Sequence, residues 1–151
     1  MDNKESEISK IDAQMRLAEI LTDSARDISL GGKTYKIRAL RPGTQWLIAQ
    51  ESCKIAKNEE GNFTDLITKF ASHIPAVVRC ITLAILNDKG KIESDEYQAL
   101  YDTIMWETKQ HEWIGVLAEV LQMLDLSFFF RCTETIEMIR TMTLTKKNHE
   151  A

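Results

Sequence analysis

Little in this 151-residue sequence interrupts a folded chain. It holds only two prolines and six glycines, which excludes a fibrous repeat or a low-complexity linker protein. Its three cysteines, Cys53, Cys80 and Cys132, are odd in number and widely spaced. No C-x-x-C pair occurs, so zinc and dithiol-redox readings have no support. Each cysteine lies in an apolar-periodic stretch and is expected to be a small buried side chain. No uninterrupted apolar run approaches the roughly 18–20 residues that a transmembrane helix needs. The N-terminus, Met1-Asp2-Asn3-Lys4-Glu5-Ser6-Glu7, has no basic stretch followed by an apolar core, so no signal peptide is expected and the chain should stay in the cytosol. Basic charge is not in surplus either: Lys and Arg total 19 against 23 Asp and Glu, a net charge of −4. A general nucleic-acid binder needs the opposite balance to neutralise phosphates.

What is present is ordinary for a globular chain, with 44% hydrophobic and 28% charged residues. The length suits one domain over 1–151. A chain of this size can bury about 68–70% of the surface its unfolded form exposes, enough to hold a core without disulfides or metals.

Periodicity predicts a mainly α fold, a compact helical domain of about six helices with one N-terminal β-hairpin. Ile8, Ile11, Met15 and Ala18 mark a helix over 6–22. Residues 27–40 read as a hairpin around Gly31-Gly32, a pair that can take the positive φ values of a two-residue primed turn. That turn sets Leu30 opposite Lys33, Ser29 opposite Thr34, Ile28 opposite Tyr35 and Asp27 opposite Lys36. Ile28, Leu30, Tyr35, Ile37 and Ala39 then share one apolar face. Strand 33–40 is longer than its partner, leaving part of its edge for pairing.

Helices fill a core over 44–143. Arg41-Pro42-Gly43 ends the strand, and Thr44 caps a helix over 45–57 with Trp46, Ala49, Cys53 and Ala56 inward and Ile48 and Ile55 beside them. After the polar loop 58–62, Thr64 caps a helix carrying Leu66, Ile67 and Phe70. Pro75 ends it near Ser72–Ile74 and starts another, because proline suits a first turn and disrupts an interior. Residues 76–86 are apolar nearly all round, the signature of a helix buried on most sides. Asn87–Lys91 is a turn. Ser94 caps a helix over 95–107 with Tyr97, Leu100, Tyr101, Ile104 and Met105 on one face. The next helix, 109–124, turns Ile114, Leu117, Ala118, Leu121 and Leu124 inward. Asp125 and Ser127 start the last helix, to about 143, with Phe129, Cys132, Ile136 and Ile139 as its inner stripe. Residues 145–151 form a frayed polar tail.

Catalytic chemistry leaves no trace. His73, His111 and His149 have no motif-linked nucleophile or ligand set around them, and there is no G-x-S-x-G, G-x-G-x-x-G or phosphate-loop pattern. No catalytic residue, cofactor or metal is expected, and the chain is expected not to be an enzyme. Trp46, Trp106 and Trp113 read as core or half-buried anchors. Phe128-Phe129-Phe130 is different. Three consecutive aromatics point about 100° apart on a helix, so at least one should face away from a single core stripe, toward a partner unless the helix is wedged between layers. Charge is also uneven. Residues 33–57 hold six basic residues and one acidic, a net of +5, and 88–125 hold nine acidic and three basic, a net of −6. The two stretches either attract each other or present a basic partner surface on the hairpin. The partner-binding candidates are therefore Phe128, Phe129 and Phe130, the hairpin's Tyr35 and Ile37, and its cations Lys36 and Arg38.

One order of motifs adds to this. Gly32-Lys33-Thr34-Tyr35-Lys36-Ile37-Arg38 comes first, then Thr44-Gln45-Trp46, the apolar helix Val77–Leu86, and the helix entry Leu124-Asp125-Leu126-Ser127-Phe128-Phe129. Over roughly 28–145 this resembles the tail assembly chaperones of long-tailed bacteriophages. The resemblance implies a non-enzymatic protein that binds the helical tape measure protein in the host cytoplasm while the tail assembles, and that is absent from the finished virion. The implied partners are the tape measure protein and tail tube or related tail proteins, with a homo-oligomer as a further option and neither nucleic acid nor membrane. A permanent structural subunit of a phage tail or related assembly is the alternative. The resemblance also implies a longer second product made by a −1 ribosomal slip, and Lys146-Lys147-Asn148 can be encoded AAA-AAA-AAC, which contains a slippery heptamer. Sequencing the gene checks this: an open −1 frame past the stop codon is expected, and AAG-AAG-AAT at that tract excludes the slip.

Overall fold

A computed structural model describes residues 9–17, 20, 24–55 and 61–150. Within them the fold is mainly helical with an N-terminal two-stranded antiparallel hairpin. Helical residues 9–17 come first, part of the expected helix 6–22, the rest of which lies outside the described residues apart from Ile20. The hairpin follows as β1 (Arg26–Leu30) and β2 (Lys33–Ile37), then α1 (Pro42–Ser52), α2 (Phe63–Leu86), the one-turn α3 (Lys89–Ile92), α4 (Asp95–Glu107), α5 (Gln110–Gln122) and α6 (Leu126–Glu150). The chain divides into two units, one of residues 21–124 and one of residues 1–20 and 125–151.

The larger unit is built around the second half of α2. Ala76, Val78, Cys80, Ile81, Thr82, Leu83 and Ala84 are all buried. The Thr82 hydroxyl donates to Val78 O at 2.7 Å, so its burial leaves no unmet polar group. α1, α4, α5 and β2 pack on this helix, supplying Ile48, Ile104, Trp113, Val116, Val120 and Ile37 to the core.

The hairpin register is the one its turn dictates, from Leu30 opposite Lys33 to Asp27 opposite Lys36, and extends to Arg26 opposite Ile37. Gly31 and Gly32 have φ of 57° and 76°, which side chains with a Cβ rarely adopt. A Cβ on Gly31 would also lie 3.1 Å from Glu107 O. β1 is secured to α5 at both ends. At the tip, the Glu112 carboxylate accepts Gly31 N–H at 3.2 Å and Lys109 N–H at 2.9 Å. At the base, Arg26 Nη1 donates to Glu119 O at 3.3 Å, placing a cation by the negative end of α5. The apolar face thus lies on the chain's own core. β2 ends at Ile37, as long as its partner, so the overhang expected from a strand 33–40 is absent.

Several boundaries differ from expectation. Pro75 lies inside one continuous 24-residue helix. The missing hydrogen bond falls just before the half that tertiary packing buries, and that burial outweighs it. Asn62, not Thr64, caps α2, accepting Asp65 N–H at 2.9 Å. Pro42 occupies the first turn of α1 behind the cap residue Arg41, a site where its absent N–H costs nothing. Thr44 is therefore buried within α1, next to Ile48, while Trp46 is 63% exposed. Ser94 caps α4 as expected, accepting Glu96 N–H at 3.2 Å.

α5 is turned by about one residue from its expected face. Trp113, Val116, Val120 and Met123 are buried and Ile114 is 74% exposed. Trp113 is fixed by its indole N–H donating to Thr108 Oγ1 at 2.6 Å. Of the three tryptophans it alone is buried, and Trp106 is 81% exposed. α6 continues through the expected frayed tail, with Lys147 and His149 in its last turn, where positive charge favours the helix end. Ala56 and residues 58–60 of the expected loop lie outside the described residues.

The expectation of no membrane-length segment also changes. By length and composition alone α2 could cross a membrane, with a mean hydropathy of 1.4 over its most apolar stretch. The buried half accounts for that value. A second stretch, 110–149, reaches 1.5 but includes the break between α5 and α6.

Two outcomes follow from these contacts. Cys80 alone among the cysteines is buried, with its Sγ 3.8 Å from Ile48 O. Burial first, and then Glu51, push its thiol up to about 11. Maleimide labelling of the folded protein at about pH 8 should modify Cys53 and Cys132 and spare Cys80 until denaturant is added. The second concerns Glu112, whose carboxyl is held below its ordinary value by the Lys109 N–H and then the Gly31 N–H. Its contribution to stability is full above the unfolded value of 4.5 and is lost as pH falls through the lower folded value. Denaturation of Glu112→Gln should show lower stability than the parent at neutral pH and a shallower loss in acid. Equal acid profiles for the two proteins contradict this.

Candidate partner-binding surfaces

α6 has many apolar side chains, and most of them are exposed. Asp125 sets its start, with Oδ1 accepting from Phe128 N–H at 3.0 Å and from the Ser127 hydroxyl. From there the sequence carries Phe128, Phe129, Cys132, Ile136, Ile139 and Met142, which at about 100° per residue fall within one broad side of the helix. Every one of them is exposed, Phe129 at 62% and Ile139 at 55% among them. The stripe expected to face inward is therefore an outer surface. Phe130, Met138 and Leu144, on other sides, are exposed as well.

The threonines of α6 change what this surface can do. Thr133, Thr135, Thr141, Thr143 and Thr145 each donate their hydroxyl to the carbonyl four residues earlier, at 2.8–3.0 Å. Thr135 and Thr143 lie on the same side as Phe128 and Ile139. Their hydroxyls are satisfied within the helix, so covering the stripe strands no donor. Arg131, Glu134, Glu137 and Arg140 lie off the stripe, and Arg140 pairs with Glu137 at 3.3 Å.

The aromatic run does not divide between core and surface. Phe128, Phe129 and Phe130 are 64%, 62% and 57% exposed. Phe129 and Phe130 meet edge to face, with ring centres 5.6 Å apart. The hairpin candidates separate by face. Ile37 is fully buried in the chain's own core and offers no surface, and Tyr35 is half-buried against that core. Lys36 and Arg38 are exposed on the opposite side.

Sequence reasoning missed two further apolar surfaces in the larger unit. The first half of α2 exposes Phe63, Leu66, Ile67 and Phe70, an i, i+3, i+4, i+7 set that forms one helical stripe. Trp46 borders a hollow of about 380 Å³ with Thr44, Leu47 and Ile92, rimmed by Arg41 and Lys89. The stripe of the first was readable from its spacing, but its exposure was not. The second depends on α1 turning Thr44 and Ile48 inward, which leaves Trp46 on the outer side.

His73 is half-buried in α2, and His111 and His149 are exposed. Among the described residues no three His, Cys, Asp or Glu side chains converge as a metal site. No family model, curated protein or solved structure matches the chain.

The exposure of all three phenylalanines sets an expected stability result. Single Phe128→Ala, Phe129→Ala and Phe130→Ala variants should each unfold in urea within about 0.5 kcal/mol of the parent. A loss of about 3–5 kcal/mol in any one, the cost of emptying a core site, contradicts the placement of that ring.

Proposed function

We propose that this chain is a non-enzymatic assembly chaperone of a bacteriophage tail, binding the helical tape measure protein through α6. The observation that carries the reading is the uncovered apolar side of α6, with its threonine hydroxyls already satisfied. The hairpin-first motif order and the Leu124–Phe129 helix entry support it from the sequence.

The physics of such binding is direct. A tape measure protein is a long helical chain whose apolar stripes aggregate when unpartnered. A helix laid against such a stripe buries both. Each large apolar side chain covered contributes about 1.5–3 kcal/mol, against an association cost of roughly 4–15 kcal/mol. Six or so side chains from α6 reach that range without rigid, permanent attachment. The interface needs no charge pairing at its centre, which suits a partner presenting many similar stripes along its length. Phe128 and Phe129 at the head of the stripe are the expected hot spots.

Co-expression with the tape measure protein tests the reading. The parent chain should keep the tape measure protein in the soluble fraction and bind it. Phe129→Ser combined with Ile136→Ser should abolish both effects while leaving the unfolding transition of the purified chain nearly unchanged. Mass spectrometry of purified virions should find the chain missing. Stoichiometric presence in the particle favours the permanent tail subunit instead, and an insoluble tape measure protein beside soluble parent chain refutes the chaperone reading.

A further inference from the structure

The outer side of β2 meets the turn after α2 at a second hollow, of about 410 Å³, within the larger unit. Lys36, Arg38, Arg41 and Lys91 line it, and all four are exposed. Among the described residues none of these four side chains has an ion-pair partner. The one acid of the hollow, Asp88, has its Oδ1 engaged by Lys91 N–H at 3.1 Å. Four cations against one acid leave a net charge of +3 in one small concavity.

The backbone beneath these cations is held in place. Asn87 sits in the left-handed region with φ 44°. Its side chain clamps the strand exit, donating to Ala39 O at 2.8 Å and accepting Arg41 N–H at 2.9 Å. The clamp brings the chain after β2 against the C-terminal end of α2. The negative end of that helix is one attraction for the cations, but it amounts to about half an elementary charge. Half a charge does not balance three. The grouping of unpaired like charges is accounted for by a ligand that brings negative charge with it.

We propose that this hollow is a binding site for the carboxylates of an acidic protein segment. Arg38 and Arg41 offer planar forks that suit a carboxylate, and Lys36 and Lys91 add charge at the rim. Ile85 and Leu86 in the lining give the methylene stem of a glutamate an apolar wall. Nucleic acid fits less well. It needs cations along an extended track, and this chain is net negative, with a net of −6 over 88–125. The site goes beyond the proposed function and stands without it, because it involves neither α6 nor the tape measure protein.

Calorimetric titration at low salt tests the site, using a short oligoglutamate peptide, an oligoglutamine peptide of equal length, inorganic phosphate and a short single-stranded oligonucleotide. Oligoglutamate should bind and oligoglutamine should not. Arg38→Gln combined with Arg41→Gln should weaken binding about tenfold or more, in line with the loss of charged hydrogen bonds. Lys146→Gln combined with Lys147→Gln, a charge-matched control on α6, should leave it unchanged. Circular dichroism establishes that both double variants remain folded. No oligoglutamate binding, equal weakening in the control, or tighter binding of phosphate or the oligonucleotide overturns the assignment.

Discussion

The second half of α2 is buried on most of its sides, and the larger unit is organised around that requirement. A helix apolar nearly all round cannot rest on a single neighbour. α1, α4, α5 and β2 each close one side, through Ile48, Ile104, the Trp113–Val116–Val120 stripe and Ile37. Small residues at Ala76, Cys80, Thr82 and Ala84 let these elements approach closely. The hairpin could not be stable alone. It persists because its apolar face completes this cover, with Glu112 and Arg26 tying its ends to α5.

α6 is the counterpart, a helix rich in apolar side chains that are exposed. Scattered exposed apolar residues are normal, but a continuous exposed stripe marks an interaction surface. The intrahelical threonine bonds strengthen the contrast with an ordinary solvent-facing helix, since they leave methyl groups rather than free hydroxyls along the stripe. The basic hollow below β2 is a different kind of surface, small, concave and charged. An apolar stripe supplies affinity with little selectivity, and a charged hollow supplies selectivity and orientation.

Features fixed by local chemistry were legible in the sequence. Gly31-Gly32 permits one tight turn, and the turn sets the register of both strands. Ser94 caps α4 because its side chain meets an amide two residues on. The run at 76–86, apolar nearly all round, read as a central helix. Features that depend on which of several faces a neighbour covers were not legible. α5 carries two overlapping stripes offset by one residue, Ile114–Leu117–Leu121 and Trp113–Val116–Val120. Periodicity cannot rank them, and the buried indole with its bond to Thr108 decides the matter. Pro75 argued locally for a break that tertiary burial overrides. In the candidate site, Phe128 to Phe130 stood out as a run, but their common exposure was not readable, because spacing gives a stripe and not what covers it. The basic hollow was half visible in Lys36 and Arg38. Arg41 joins it through the Asn87 clamp, and Lys91 through the one-turn α3 capped by Asp88.

The proposed function rests on the exposed apolar side of α6 being a partner surface. Hydrogen–deuterium exchange, measured with and without the tape measure protein, tests it most directly. The account predicts strong new protection along Phe128–Met142 on binding, with amides of Val78–Ala84 already protected and unchanged. Protection of α6 that is complete in the isolated chain at low concentration, or binding that leaves α6 exchange untouched, contradicts it.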